Sequence, residues 1–263
     1  MLRSLLFVPA QDKMLKKVSV LDADGYIIDL EDSISNNDKI QALERTEAFL
    51  KHNSIQNPIY VRVNKENYVN EIGRLEKFSQ IGFMLPKFEN ESDYIECQEI
   101  LSNHNTLALI ETPLGIVNIL KIASCDWVDA LAFGAEDFTS GINMKNANEF
   151  LRYQKGCLVT YAKAYGKKVY DTPSFHLGVE DEFKLDVSDS VDLGFDGKLV
   201  ISPKHIHYVN NAFMRVNPDE IMDIITQYES TGEAVQVING KVYEKMHIEN
   251  LKHIVKCSNT GEL

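Results

Sequence analysis

The sequence predicts an α/β fold, a (β/α)8 TIM barrel with a C-terminal helix–hairpin–helix extension. Apolar, β-branched runs alternate with amphipathic stretches eight times over about 210 residues. Charged residues follow directly after several of these runs, where an α/β barrel places its chemistry. A doubly wound open sheet is the alternative. The residues after its first strand would be Pro9-Ala10-Gln11-Asp12, which lack the glycine-rich phosphate loop of that fold.

The predicted strands are short and almost continuously apolar, as buried parallel strands are. They lie near residues 5–8, 26–29, 59–63, 83–85, 107–110, 130–133, 168–170 and 198–201. Between them, Asp38 to Lys51, Glu91 to Leu101 and Asn148 to Tyr165 carry apolar residues at helical spacing. Gly166 is the predicted C′ residue of the last of these helices.

The pattern changes after residue 203. Pro218 to Gln227 has the pattern of a helix, and His247 to Val255 that of a closing helix. Between them, Asn239-Gly240 separates two strand-like segments and gives the strongest short-range hairpin signal. We therefore expect a catalytic barrel domain over residues 1–213. The extension over 214–263 is expected to act as a lid and to contact a neighbouring subunit.

The composition is that of a globular protein with a sizeable core, since 44% of the 263 residues are hydrophobic and 25% are charged. A net charge of −12 argues against binding to nucleic acid or to anionic membranes. The N-terminal apolar run ends at Pro9, so we expect no signal peptide, and no segment approaches a membrane span of about 20 residues. Four widely spaced cysteines without a CxxC pair fit buried thiols in a cytoplasmic protein.

Carboxylates follow three of the predicted strands. Asp29, Glu31 and Asp32 come after the second, and their crowding predicts that at least one has a raised pKa and carries a proton or supports a metal. Glu111 and Asp137 follow the fifth and sixth, where a buried, unpaired carboxylate is costly unless a cation compensates it. With no convincing Cys/His cluster, these oxygens favour a hard cation such as Mg²⁺. Helix capping or pairing with a lysine is the structural alternative.

Three positively charged residues also follow or lie in predicted strands. Arg62 stands between two valines, so strand alternation turns it toward the barrel lumen, where its planar fork suits a carboxylate or an enolate oxygen. An ion pair with the preceding acids is the structural alternative, and the two roles are compatible. Lys87 is expected either to contact substrate or to pair with the acid cluster. Lys198, at the last strand, is a weaker candidate for contact with a phosphorylated cofactor tail.

These motifs together resemble the citrate lyase β subunit and its relatives in the HpcH/HpaI aldolase superfamily. The resemblance rests on Arg3-Ser4-Leu5-Leu6-Phe7-Val8-Pro9, Asp29-Leu30-Glu31-Asp32, Arg62-Val63-Asn64, Leu85-Pro86-Lys87, Ile110-Glu111-Thr112, Phe133-Gly134-Ala135-Glu136-Asp137 and Gly194-Phe195-Asp196-Gly197-Lys198. It implies a Mg²⁺-dependent TIM barrel. By that resemblance Glu111 and Asp137 hold Mg²⁺, and Arg62 binds a 2-oxo acid.

The resemblance implies a carbon–carbon lyase acting on a 3-hydroxy acyl thioester of the citryl, malyl or citramalyl type, carried on CoA or an acyl carrier protein. An aldolase acting on free 2-oxo acids and a non-catalytic, metabolite-binding barrel are the alternatives. Related lyases have an acidic residue four positions after a glycine, in a hairpin that reaches a neighbouring subunit's site. Gly240 and Glu244 have that spacing here. The resemblance therefore implies a homo-oligomer, a trimer or hexamer, with Glu244 as a catalytic acid delivered in trans.

Overall fold

Eight parallel strands form a closed barrel in the computed structural model, which describes residues 2–142, 148–176, 178–214 and 218–260. The strands follow one another around the barrel in sequence order, and β8 pairs with β1. They are β1 (Ser4–Pro9), β2 (Gly25–Asp29), β3 (Ile59–Arg62), β4 (Ile81–Leu85), β5 (Thr106–Ile110), β6 (Ala130–Phe133), β7 (Lys168–Asp171) and β8 (Gly197–Val200). The predicted TIM barrel is confirmed and the open sheet is excluded.

Helices connect the strands. They are α1 (Asp12–Leu15), α2 (Lys39–His52), α3 (Tyr68–Leu75), α4 (Gln98–Leu101), α5 (Pro113–Val117), α6 (Ile119–Ala123), α7 (Ala135–Gly141), α8 (Asn148–Ala164), α9 (Asp181–Asp192) and α10 (Pro203–Ala212). The single helix predicted from Glu91 to Leu101 is instead a 3₁₀ helix, Glu91–Cys97, followed by α4. Tyr94 leaves helical geometry there, and its hydroxyl donates to the Pro86 carbonyl. No helix in the described ranges is long and apolar enough to cross a membrane.

Alternation along the strands divides the barrel core into two layers. Leu5 and Ile27 belong to the cluster that fills the lumen, whereas Leu6 and Ile28 belong to the outer cluster beneath the helices. The lumen cluster extends toward the C-terminal strand ends as far as Leu109 and Leu199. On β2, β3 and β5 the next inward-facing positions are charged, Asp29, Arg62 and Glu111, and these residues lie at the mouth of the barrel.

A second compact unit begins at Met214, after the barrel unit Leu2–Phe213. It contains α11 (Pro218–Thr231), β9 (Val235–Ile238), β10 (Lys241–Glu244) and α12 (Lys245–Thr260). Asn239 and Gly240 have φ angles of 51° and 77°, as a type I′ hairpin turn requires. The predicted helix–hairpin–helix order is therefore confirmed.

Candidate active site at the barrel mouth

A cavity of about 530 Å³ lies at the C-terminal strand ends. Five of the predicted site residues line it: Asp29, Asp32, Arg62, Glu111 and Asp137. Apolar side chains from the lumen, among them Phe7, Leu109 and Leu199, form part of the same wall. The barrel thus brings acids at and after the ends of β2, β5 and β6 and the arginine of β3 to one cavity, as the sequence predicted.

Arg62 is held in a two-point ion pair by Asp29. Its Nε lies 2.7 Å from Asp29 Oδ1 and its Nη2 lies 2.8 Å from Oδ2. The two residues are direct neighbours across β2 and β3, and the outward packing of Val61 and Val63 confirms that Arg62 faces inward. Burial opposes ionisation of Asp29, but the hydrogen bonds and charge of Arg62 outweigh it, so the pKa of Asp29 lies below its ordinary value. Asp29 therefore stays ionised and orients Arg62.

The two acids that follow Asp29, Glu31 and Asp32, differ in their position relative to the cavity. Asp32 Oδ2 accepts a hydrogen bond from Arg62 Nη1 at 3.0 Å, and Asp32 lines the cavity. Glu31 Oε2 lies 3.1 Å from the same nitrogen but makes no hydrogen bond, and Glu31 is buried behind the cavity wall. Burial, reinforced by the charge of Asp32, raises the pKa of Glu31 despite Arg62 and Lys87. The pKa of one acid of the motif is raised, as predicted, but burial is the main cause and crowding by Asp32 is a smaller one.

Glu111 is a buried carboxylate held in place by the backbone. Its Oε1 accepts a hydrogen bond from the Lys87 N–H at 2.9 Å, and Lys87 has a left-handed backbone with φ 49°. Gly134 follows the neighbouring strand β6, and a Cβ at this position would lie 2.5 Å from Glu111 Cβ, so only glycine leaves room there. Burial, followed by repulsion from Glu31, raises the pKa of Glu111 to about 8, and the charge of Asp137 adds to the shift.

These residues fit a Mg²⁺ site. Glu111 and Asp137 line one cavity, and the ionised form of Glu111 lacks sufficient positive charge around it. Mg²⁺ is commonly held by one or two carboxylates and completes its octahedron with water and substrate oxygens. Within the described residues no group of three or more His, Cys, Asp or Glu side chains is placed to hold a metal.

The remaining predicted residues lie elsewhere. Lys87 Nζ pairs with Glu31 Oε1 at 3.3 Å and Lys87 does not line the cavity, so pairing with the acid cluster is the observed role. The suggested phosphate contact of Lys198 is wrong, because its side chain is 1% exposed and its Nζ lies 2.9 Å from Asp171 Oδ2. Glu244 ends β10 in the C-terminal unit and is exposed.

A supporting network was missed by the sequence reasoning. Lys39 Nζ donates to the carbonyls of Leu30 and Glu31 and, at 2.6 Å, to Asn64 Oδ1. Glu71 in turn accepts the backbone N–H of Asn64 at 2.7 Å and its side-chain amide at 2.6 Å. One signal was available: Lys39 opens α2, where the helix dipole disfavours a cation.

Comparison with known proteins identifies the family. The model of the HpcH/HpaI aldolase/citrate lyase family matches residues 3–203, and the chain belongs to this family. It is 26% identical to the citrate lyase subunit beta of Leuconostoc mesenteroides subsp. cremoris, covering 99% of this chain and 94% of that protein. It is 28% identical to a (3S)-malyl-CoA thioesterase of Cereibacter sphaeroides, covering 94% and 90%.

Among solved structures, the chain resembles the protein CitE from Mycobacterium tuberculosis in complex with magnesium, acetoacetate and coenzyme A. The TM-score is 0.78 at 20% identity, with 97% of each chain covered. At that identity the likeness supports the fold. Family membership confirms the resemblance drawn from the motifs and, with it, the predicted enzyme class, a carbon–carbon lyase.

Proposed function

We propose that this chain is a Mg²⁺-dependent lyase that cleaves a 3-hydroxy acyl thioester into a 2-oxo acid and an acyl thioester, or catalyses the reverse condensation. The observation that carries the proposal is the shared cavity of Glu111, Asp137 and Arg62, in which Glu111 lacks a compensating cation. CoA or an acyl carrier protein is the proposed thioester carrier, in keeping with the malyl-CoA and coenzyme A named for relatives.

Each residue has a defined part in this chemistry. Glu111 and Asp137 would hold the metal, which when bound supplies a Lewis acid and a template for the substrate's carboxylate and carbonyl. Arg62, fixed by Asp29, lines the cavity and would stabilise negative charge on the reacting oxygen. Asp32 lines the cavity and is the carboxylate of this motif that we propose moves a proton, since Asp29 is held by two backbone N–H groups and by Arg62, and Glu31 is buried.

Glu244 is the second proposed proton carrier, acting on a neighbouring copy. The hairpin register places Glu244 opposite Val235 and Val242 opposite Val237, so all four side chains share one face. The three valines are 53%, 71% and 57% exposed at positions 235, 237 and 242. An apolar face bearing one acid suits docking over another subunit's cavity, where it would exclude water. This part of the proposal requires a homo-oligomer, for which we propose a cytoplasmic location.

Calorimetric titration tests the metal site. Pyruvate or oxaloacetate should bind in the presence of Mg²⁺ and lose most of that affinity in EDTA. Glu111→Gln and Asp137→Asn should each abolish the Mg²⁺ dependence. Glu136→Gln tests which of the two neighbouring acids would bind the metal, because Glu136 and Asp137 are both exposed at the start of α7 and both line the cavity, and this variant should keep the Mg²⁺ dependence. Equal affinity with Mg²⁺ and with EDTA would refute the proposal. Loss of binding in the Glu136 variant alone would reassign the ligand.

A further inference from the structure

A left-handed backbone turn contacts Glu111. Lys87, two residues after the end of β4, has a φ of 49°, a conformation that is unfavourable for residues other than glycine. Such a conformation persists where the surrounding structure holds it. Both backbone polar groups of Lys87 are hydrogen-bonded to side chains, its N–H to Glu111 and its carbonyl to Lys65.

The N–H of Lys87 orients the Glu111 carboxylate. It donates to Glu111 Oε1 at 2.9 Å, and in the described part of the chain it is the one hydrogen-bond donor to that carboxylate. Glu111 is 4% exposed, so little water can take the place of this donor. The direction of the Glu111 carboxylate therefore depends on the backbone of Lys87.

The carbonyl of Lys87 is held by a lysine outside the cavity wall. Lys65, in the loop after β3, places its Nζ 2.6 Å from the Lys87 carbonyl oxygen. The same Nζ lies 3.2 Å from Asp93 Oδ2. That oxygen also accepts the backbone N–H groups of Glu89 and Asn90, at 2.9 and 3.1 Å. Lys65 and Asp93 together therefore bind three backbone groups between residues 87 and 90.

Ion pairs keep the Lys65 ammonium in place. Asp93 and Glu89 lie 3.2 and 3.7 Å from its Nζ, and the Lys65 side chain is 28% exposed. A hydrogen bond donated by a charged group is stronger than one between neutral groups, so the ammonium is an effective partner for a backbone carbonyl. Its contact with Lys87 offsets the cost of the left-handed conformation.

We propose that Lys65 is a positioning residue for the metal site. By holding the Lys87 carbonyl it maintains the left-handed backbone, and this backbone directs the Lys87 N–H at Glu111. Lys65 does not line the cavity, so it acts through Lys87 and not on the ligand. The inference rests on the proposed function, in which Glu111 is a metal ligand.

Calorimetric titration of the full chain with Mg²⁺, in the presence of pyruvate, tests the inference. Lys65→Met removes the ammonium at similar length, and we expect the Kd for Mg²⁺ to rise at least about tenfold, as for other groups that orient metal ligands. Lys65→Arg keeps a cationic donor and should recover most of the lost affinity. Lys77→Met is the matched control. Lys77 Nζ lies 2.8 Å from Glu47 Oε1, in an ion pair away from the Lys87 loop, so its loss should leave the Kd unchanged.

Hydrogen exchange in EDTA tests the positioning without the metal. The Lys87 N–H should exchange faster in Lys65→Met than in wild type or in Lys77→Met, because the backbone can then leave the conformation that directs this N–H at Glu111. Lys65→Arg should remain close to wild type.

The outcomes separate this inference from the proposed function. A lower Tm in Lys65→Met with unchanged Mg²⁺ affinity would show a purely structural ion pair, which overturns the inference and leaves the proposed lyase intact. Unchanged exchange of the Lys87 N–H would overturn the inference as well. If wild type itself binds no Mg²⁺ in the presence of pyruvate, the proposed function fails and the inference fails with it.

Discussion

Replacing Glu111 with glutamine should change how the stability of the metal-free protein depends on pH. The unfolded chain releases the Glu111 proton near the ordinary pKa of 4.5, whereas the folded chain retains it until about pH 8. Between these values the folded state binds one more proton than the unfolded state. The free energy of unfolding therefore falls as pH rises, by up to about 1.4 kcal/mol per pH unit from this residue.

The magnitude follows from that window. From about pH 5 to about pH 7 the Glu111 contribution amounts to roughly 3 kcal/mol, a large fraction of a typical domain's stability. Burial raises the pKa of Glu31 and of Glu71 as well, so the wild-type slope contains their contributions. Glu111→Gln has no proton to release, and the difference between the two slopes reports Glu111 together with its electrostatic coupling to Glu31.

Urea unfolding in EDTA, followed by Trp127 fluorescence at a series of pH values, measures both slopes. Wild type should lose stability more steeply than Glu111→Gln as pH rises from about 5 to about 8. Added Mg²⁺ should remove the extra loss in wild type, because the metal stabilises the ionised carboxylate, and should have no such effect on the variant. Parallel slopes in the metal-free proteins would refute the reasoning that Glu111 lacks a compensating charge.

Three further changes test the rest of the site. Arg62→Lys keeps the charge but loses the fork on Asp29, so calorimetry should show 2-oxo acid binding weakened by about 1–3 kcal/mol; wild-type affinity with a much lower Tm would indicate a purely structural ion pair. Gly134→Ala places a methyl group 2.5 Å from Glu111 Cβ, and we expect Mg²⁺ affinity to fall at least about tenfold with the circular dichroism spectrum unchanged. Glu244→Ala should lower turnover while Mg²⁺ and 2-oxo acid affinities stay near wild type. A chain that sediments as a monomer at micromolar concentration would exclude delivery of Glu244 in trans.

The barrel was predictable because its signals are local. Each strand is an apolar run bounded by polar residues, and the eight predicted strands overlap the observed ones. The hairpin was equally predictable, since Asn239 and Gly240 adopt the positive φ angles that their turn type requires. The break in the helix predicted from Glu91 to Leu101 was not predictable. There the buried Tyr94 donates a hydrogen bond to the Pro86 carbonyl and departs from helical geometry. Such a tertiary contact leaves no trace in the spacing of apolar residues.

The candidate site was predictable in its members but not in their pairing. Strand ends meet at one rim in any parallel barrel, so placing Asp29, Arg62, Glu111 and Asp137 together needed only the strand positions. Which acid stays ionised depends on hydrogen bonds across strands. Asp29 has two backbone donors and the arginine fork, whereas Glu31, two residues on, has a buried oxygen without a hydrogen bond. Opposite pKa shifts in two acids of one short motif therefore follow from geometry alone.

A hydrogen-bond network of Lys39, Asn64 and Glu71 holds the loop that follows β2 and carries its acids. Lys39 binds the carbonyls of Leu30 and Glu31, so the backbone of the loop is fixed from the side opposite the cavity. Its third acceptor is the Asn64 amide, which Glu71 orients. Glu71 and Lys39 carry opposite charges, and neither residue lines the cavity. The network that holds the loop therefore uses no charged group of the cavity. Arg62, Glu111 and Asp137 therefore remain in the cavity wall, where the metal and the 2-oxo acid are proposed to bind.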